Sequence, residues 1–582
     1  MDRRSALAWL AIAIPACVAL DYIWRFGVDV PYWDQWQLVP YLEDWANGTL
    51  NAAKLFAQHN EHRIFFPRLV MIALAQISAW NTHVEMFASW AIMLVGVGTL
   101  LWEHLRTFGR SATSLWLFAP MSWLFFSLRQ QENWLWGWQI TIFMAAAATC
   151  VGLALLDSAE RKPIRFTLAL GCALVSGYSF GGGMGVWPAG AALLGWKLFI
   201  VRKPDVRRFL AMQLAIWLGS GAAATLLYAV GFTSPGGPPR LQFLSDPGFF
   251  IRLVLGTVGA PLTSSSDLLG AEAVGLVILL TLLAALSLAA RGKVELEKCS
   301  LAAGLFVFAL STHAMVLFSR SGWGMAMVTA SRYTTLFALG TYAVYRVVLS
   351  VRVGQLKTIG ISTVTVLVVI GSYQMLPTEY AAGRVIRESR EGVRERVANE
   401  RNYTDQDLTL VFTSGATVRG EIGTLRRLRL SVFREGSGNL LAAWVERALG
   451  RTDSAVQAVL QKQLAADPAT ARLMATVEDG VARISGEIEN QQGEGRAVDI
   501  ARAVKGVHAV ESGMYVSDIT LAEAVKRAIA ADPSVAAVPL RLEVHTGQVK
   551  VFSDETNADQ RARLARVTRA VYGVTSFEDH MK

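Results

Sequence analysis

After the first apolar run the chain carries Asp34 within Tyr32-Trp33-Asp34-Gln35-Trp36, and then His59-Asn60-Glu61-His62-Arg63. A carboxylate there gains nothing from lipid and is suited to take a proton from a hydroxyl. Trp33, Trp36 and Trp45 fit an aromatic belt at a membrane surface. His59 and His62, with Glu61 between them, read equally as solvated loop residues or as substrate contacts. Their spacing lacks the HExxH pattern that puts two imidazoles on one helical face, so no metal site is assigned. Arg63 and Arg68 are read as phosphate partners, because guanidinium forms bidentate bonds with phosphate oxygens. Later polar segments add Arg129-Gln130-Gln131-Glu132-Asn133-Trp134, the run Tyr178-Ser179-Phe180-Gly181-Gly182-Gly183, and Arg320 to Tyr333. The glycine run lacks the lysine and strand–helix context of a nucleotide loop and reads as a tight turn. Arg332-Tyr333 reads as an interfacial anchor or as a ligand contact.

These groups need a scaffold, and composition says which. Of 582 residues, 53% are hydrophobic and only 17% charged, too apolar for a soluble chain, whose charged share is about 25%. Apolar runs fall near 6–25, 84–104, 113–128, 138–157, 166–180, 184–201, 209–231, 271–290, 300–318, 332–349 and 357–376. Backbone amides in lipid must pair internally, so these runs predict roughly 11 transmembrane helices. Alternate connections are basic: Asp2-Arg3-Arg4, Arg106 to Arg110, Arg161 to Arg165, Arg202 to Arg208, Arg291 to Lys298 and Arg346 to Lys357. That asymmetry places them in the cytoplasm, the N-terminus with them, and the polar motifs and the C-terminus outside. The net charge of +9 therefore reports topology and not nucleic-acid binding. The first run is read as an uncleaved anchor, since apolar sequence continues past Cys17. Ile64 to Trp80 and Phe249 to Pro261, each with an arginine (Arg68, Arg252), are read as interfacial or re-entrant helices. The spans hold few ionisable groups apart from His313, which disfavours a transporter.

The combination of Asp34-Gln35-Trp36, His59 to Arg63, Gln131-Glu132-Asn133 and Ser331-Arg332-Tyr333 resembles the GT-C superfamily of integral-membrane glycosyltransferases, over residues 1 to about 440. The resemblance implies transfer of a sugar from a polyprenyl-phosphate donor to a glycan, lipid or protein acceptor at the outer face of a bacterial inner membrane. Asp34 would be the catalytic base or would orient the acceptor, Arg63, Arg129 or Arg332 would neutralise the departing phosphate, and His59, Glu61, His62, Glu132 and Tyr333 would contact substrate. Many such enzymes pair two acidic residues in the first loop and use a divalent cation. Here Gln35 follows Asp34.

Beyond residue 376 the chain turns polar and has no cysteine. Residues 377–450 read as a linker and small subdomain, with a charged helix from Arg384 to Glu400 and a strand-like Leu408 to Phe412. A duplication follows: Ala465-Ala466-Asp467-Pro468 recurs as Ala530-Ala531-Asp532-Pro533, Asp479-Gly480 as Thr546-Gly547, and Gly506-Val507 as Gly573-Val574. Each copy, 451–516 and 517–582, reads helix, two strands, helix, strand. Leu473, Ala475 and Val477 share one face, as do Leu540, Leu542 and Val544. The pair resembles tandem BON domains of bacterial envelope proteins, which implies binding to membrane lipid. Ser553 stands where the first copy has Gly486. The fold expected is thus a polytopic α-helical membrane domain followed by a soluble α+β region. The competing function is a non-enzymatic envelope scaffold or transporter.

Overall fold

In the computed structural model, Asp2 caps helix α1 (Arg3–Phe26) by accepting a 2.9 Å hydrogen bond from the Ser5 amide. The structure describes residues 2–434, apart from 235 and 237–245, and residues 453–581, apart from 479, 505, 508 and 555. Short elements follow α1: α2 (Val39–Ala46), α3 (Ala52–Phe56), β1 (Gln58–His59), β2 (His62–Arg63) and α4 (Phe65–Ser78). Next come α5 (Thr82–Phe108), α6 (Ala112–Phe125), α7 (Gln131–Leu135), α8 (Ile140–Asp157), α9 (Pro163–Gly177), α10 (Val186–Ile200) and α11 (Pro204–Ala229). The series continues with α12 (Pro247–Gly259), α13 (Leu268–Ala290), α14 (Ser300–Arg320), α15 (Met325–Val328) and α16 (Thr334–Leu349). It ends in α17 (Gly354–Ala398), α18 (Asp405–Leu408) and α19 (Gly415–Arg427).

Among the described residues, 7 helices are long and apolar enough to cross a membrane: α1, α5, α8 with its preceding turn, α11, α13, α14 and α17. The other four expected spans are helices too, but α6, α9, α10 and α16 have only 14, 15, 15 and 16 residues. Such helices reach roughly 21 to 24 Å against a hydrocarbon thickness of about 30 Å. The two segments read as interfacial, α4 and α12, are shorter still or equal, at 14 and 13 residues. Arg68 turns inward, donating to the Leu55 and Ala57 carbonyls, and Arg252 pairs with Glu272 of α13 at 3.0 Å.

Residues 377–434 do not stand apart. The chain divides into two units, Met1–Arg434 and Glu435–Lys582, and residues 435–450 of the expected linker lie outside the described residues. The last span and the charged segment form one helix of 45 residues that runs through Pro377. Proline forfeits one helical bond, but packing on α1 holds the turns that follow it: the Tyr22 hydroxyl donates to the Glu379 carbonyl at 2.9 Å. Gly383 lets α1 approach so closely that an added Cβ would lie 2.7 Å from Phe26. Further along, Val393 and Val397 join Val418 and Ile422 of α19 in an apolar cluster with Trp36, Leu42, Met71 and Trp80. Asp405–Leu408 is a helical turn and not the strand expected at Leu408 to Phe412. Thr404 and Asp407 exchange hydrogen bonds there as a capping box, which outweighs the β-propensity of the next residues.

The expectation of few ionisable groups inside the spans fails. Glu85, Glu103 and His104 of α5 and Arg346 of α16 are all buried. Arg346 binds Glu103 with both terminal nitrogens, one at 3.2 Å, and Arg106 pairs with Asp157. These groups escaped notice because they fall at or near helix ends, where a sequence window averages them away.

In the second unit the helix Asp453–Ala466 leads to β3 (Met474–Glu478) and β4 (Val481–Glu487), the helix Gln491–Ala503 and β5 (Ala509–Tyr515). The order then repeats: the helix Asp518–Ala530, β6 (Arg541–His545), β7 (Gln548–Ser553), the helix Ala558–Arg569 and β8 (Ser576–Met581). In each copy an antiparallel hairpin gains a parallel third strand. The repeat extends to side chains. Asp467 and Asp532 each accept from the amide two residues on, and each pairs with an arginine of the following helix, Arg496 or Arg563. Leu473, Ala475 and Val477 are buried together, and Leu540, Leu542 and Val544 pack on the second core. Of the Asp479-Gly480 turn, only Gly480 is within the described residues. Gly486 adopts φ +130°, whereas Ser553 does not take a positive φ, so the second copy lacks that local twist.

The buried Glu103–Arg346 pair generates a stability test. Arg346→Met leaves the buried Glu103 carboxylate with only the Thr107 hydroxyl and a 3.4 Å contact to Arg106, and is expected to cost about 3 kcal/mol, read as denaturant unfolding in detergent. Adding Glu103→Leu is expected to restore most of the loss. Equal stability of the single and double variants would refute the pairing.

Candidate functional site

The Asp34 segment is shaped by Trp33, which takes φ +45° and starts a 3-10 turn, Trp33–Leu38, directly after extended Tyr32. Such a φ is rare for a bulky side chain, so neighbours must hold it. Gln35 does this from inside: its amide nitrogen donates to Glu85 at 2.6 Å, and its oxygen accepts from the Tyr32 amide at 3.2 Å. Trp80 donates to the other Glu85 oxygen at 2.9 Å. An acidic residue at position 35 would face Glu85 with like charge. The missing second carboxylate of the first loop is therefore a packing requirement of this chain.

Asp34 stays outward, with its carboxylate 3.4 Å from His59 Nε2. His59 comes from β1, whose pairing with β2 sets His59 opposite His62 around a tight turn in which Asn60 takes φ +47°, a conformation asparagine tolerates. His59 Nδ1 lies 2.8 Å from the Gln37 side-chain oxygen and donates to it, while Nε2 lies 3.2 Å from the Asn60 side-chain nitrogen and faces Asp34. Trp138 flanks the imidazole at 4.9 Å.

His62 is the structural partner. Its Nδ1 accepts from the Gly181 amide at 3.1 Å, and its ring packs on Phe180 at 4.4 Å. Burial is the main influence and, against the opposing pull of Glu61, pushes its pKa down to about 4 from 6.5. Burial raises the pKa of Glu61, but His62, Arg320 and a backbone hydrogen bond outweigh it and hold Glu61 below its usual range. The glycine run is the 3-10 turn Gly181–Gly185. An added Cβ at Gly183 would sit 2.0 Å from the Ser176 carbonyl, so the run serves close approach.

Arg63 does not face this site. Its Nε donates to the Tyr228 carbonyl at 2.7 Å and Nη1 to Phe56 at 2.9 Å, while Nη2 binds the Val230 carbonyl. The Tyr228 and Val230 carbonyls belong to the C-terminal end of α11 and the Phe56 carbonyl to that of α3, so Arg63 spends all its nitrogens on capping two helix ends. Arg68 is occupied likewise.

The other two motifs meet although about 200 residues separate them. The Ser331 hydroxyl donates to the Arg129 carbonyl at 2.9 Å and accepts from the Glu132 amide at 3.1 Å. Asn133 donates to the Arg332 carbonyl at 3.0 Å and to Thr335 at 2.7 Å. This stitching brings Arg332 to Glu132 at 2.6 Å. Tyr333 then links the halves: Arg320 Nε donates to its hydroxyl at 3.1 Å, and Arg320 also pairs with Glu61. Arg129 is buried and donates through Nη2 to the Thr329 carbonyl at 2.6 Å. Its Nε and Nη1 have no protein partner among the described residues, and neither do the carboxylate oxygens of Glu379.

The site thus runs from Asp34 and His59 through Glu61, Arg320 and Tyr333 to Arg332 and Glu132. Sequence reasoning missed three members. Arg320 closes a span and is visible as the first charge after it. Arg390, whose guanidinium lies 3.1 Å above the Tyr32 ring, and Glu379 sit on α17 beyond Pro377, where nothing separates them from a solvated helix face. Beside Tyr333 lies Phe337, at 6.3 Å between rings. Phe337 lines an apolar cavity of about 500 Å³ together with Phe250, Leu282, Phe306, Leu310 and His313.

Among the described residues, no group of three His, Cys, Asp or Glu side chains is placed to hold a metal ion. With Gln35 turned to Glu85, Asp34 has no second carboxylate beside it in the first loop with which to hold a divalent cation.

Residues 452–518 match the BON domain family. The helix–hairpin–helix–strand order of that module recurs in 518–581, so the second module repeats the BON architecture beyond the matched residues. No curated protein matches the chain.

The state of His62 sets a pH dependence. Below about pH 6.5 the unfolded chain takes up a proton at His62 that the folded chain refuses until about pH 4, so folded-state stability falls through that window. His62→Gln, which retains an acceptor for Gly181, is expected to show a smaller drop in melting temperature between pH 7 and pH 5 in detergent. An equal drop in both proteins would mean that His62 is protonated in the folded chain.

Proposed function

We propose that residues 1–434 form a GT-C-like glycosyltransferase that moves a sugar from a polyprenyl-phosphate donor to an acceptor hydroxyl at the outer face of the inner membrane. The observation that carries the reading is that the tight turn between β1 and β2 carries both His59, paired with Asp34, and Glu61, paired with Arg320, while Arg332 pairs with Glu132 and an apolar cavity lies beside Tyr333 and Phe337. One end supplies a proton acceptor, the other supplies cations, and the cavity suits part of an isoprenoid chain.

In this reading Asp34, oriented by His59, takes the acceptor proton as the acceptor oxygen bonds to the anomeric carbon. The bond from that carbon to the phosphate oxygen breaks, and the departing lipid phosphate draws its charge compensation from Arg332 and Arg320, with Arg129 behind them. Glu132 and Glu61 hold these arginines until the phosphate arrives. The topology proposed is of roughly 11 spans with the N-terminus cytoplasmic and the C-terminal modules periplasmic. Alternating helix ends support it: the elements bearing Asp34, Glu61, Glu132 and Arg332 lie at one end, and Arg106, Arg161 and Lys197 share a pocket at the other.

The test is transfer of radiolabelled sugar from polyprenyl-phosphate donors by the purified full chain in lipid vesicles. Asp34→Asn is expected to reduce turnover by at least about a hundredfold, the scale of one general base, with unchanged melting temperature. Full turnover by that variant would remove Asp34 from the mechanism. Absence of transfer by the wild type across donors would leave the envelope-scaffold reading, which the BON module favours.

A further inference from the structure

The end of the helical bundle away from Asp34 contains a second cavity, of about 660 Å³, that the reaction above does not use. It is built where the last turns of α5, α8 and α10 meet the first turns of α9 and α14. Arg106, Arg161, Lys162, Arg165 and Lys197 line it, with Trp102 at the α5 wall. Three carboxylates, Asp157, Glu160 and Glu297, also line it, so the cations outnumber them.

The pairing is uneven. Asp157 is committed to Arg106 and to the Ser300 hydroxyl, and Lys197 donates to the Asp157 carbonyl at 2.5 Å. Arg161 pairs outward with Asp205. The side chains of Lys162 and Arg165 have no ion-pair or hydrogen-bond partner among the described residues. They sit at the start of α9, whose first amides and dipole add positive potential. Glu160 and Glu297 are likewise without an ion-pair partner among the described residues, so the attraction for an anion rests on the lining as a whole, five cations against three carboxylates.

The surroundings specify the kind of anion. Ile164 and Leu168, flanking Arg165 on α9, are 75% and 54% exposed, and Phe199 of α10 is 68% exposed. On a bundle that crosses a bilayer, such exposed apolar surface faces acyl chains. A soluble phosphate would use the cations and leave this apolar rim without a role. A phospholipid would use both, with its headgroup among the cations and its chains along α9 and α10.

We propose that this cavity binds the phosphate-bearing headgroup of an anionic membrane phospholipid, held by Lys162 and Arg165. The site is separate from the sugar-transfer reading and does not depend on it. Basic pockets between helices at a membrane surface recognise anionic headgroups through such charge excess.

The full chain, delipidated in a neutral detergent, is titrated with phosphatidylglycerol or phosphatidylethanolamine and bound lipid is counted by native mass spectrometry. Tight retention of phosphatidylglycerol over phosphatidylethanolamine is expected. Lys162→Ala with Arg165→Ala is expected to weaken it roughly tenfold, while Arg208→Ala with Arg291→Ala, two exposed cations outside the cavity, changes little. The single Lys162→Ala, at an exposed position, carries the test if the pair variant loses its fold. Equal retention by the cavity variants, equal loss in the control pair, or displacement by inorganic phosphate at matched concentration would each overturn the proposal.

Discussion

One hydroxyl, that of Ser331, sits between two places where the helical bundle is interrupted, and the polar face depends on it. The chain breaks its helices near residues 126–139 and again near 321–333. Each break exposes amides and carbonyls that have no partner within their own helix. In apolar surroundings such groups must find partners or the break is too costly to keep. Ser331 satisfies a carbonyl and an amide inside the first break, and Asn133 binds back to the second. The breaks thus support each other, and Glu132 and Arg332 are brought together as a consequence.

This dependence explains which parts of the site were legible in the sequence. Asp34, Glu132 and Arg332 stood out because charged residues beside tryptophan at the ends of apolar runs have few structural uses. That Arg63 is a cap was not legible, because its partners are carbonyls of α11 about 165 residues away. Gln35 read as a departure from an acidic pair until Glu85 appeared behind it. The pairing of His59 with His62 is not legible, because a two-residue strand has no periodicity to detect.

The fold divides along similar lines. Apolar runs marked each of the seven helices long and apolar enough to cross a membrane, since length and hydropathy follow from the solvent a segment occupies. Pro377 misled because its cost, about 3 kcal/mol in a helix interior, is judged locally, whereas Tyr22, Phe26 and Gly383 stabilise the helix across it. The C-terminal duplication was legible because it preserves turn chemistry. Asp467 and Asp532 serve the same turn and the same helix arginine in both copies. Such paired uses of one side chain resist drift better than core positions, where apolar residues of similar size interchange.

Charge burial separates the two ends of the bundle by what they can do. Glu103 and Arg346 are each 1% exposed. A pair so enclosed cannot exchange partners, because freeing either charge costs several kcal/mol. Glu132 and Arg332 are 26% and 28% exposed, and Glu61 and Arg320 are 22% and 26% exposed. Partly solvated pairs hold each other weakly enough to part, yet they are held in place by hydroxyls and amides that do not move with them. An arginine in that condition can leave its carboxylate for a phosphate at little net cost, which a fully buried arginine cannot do. Glu132–Arg332 and Glu61–Arg320 are therefore exchangeable pairs, whereas Glu103–Arg346 is a fixed one that joins α5 to α16.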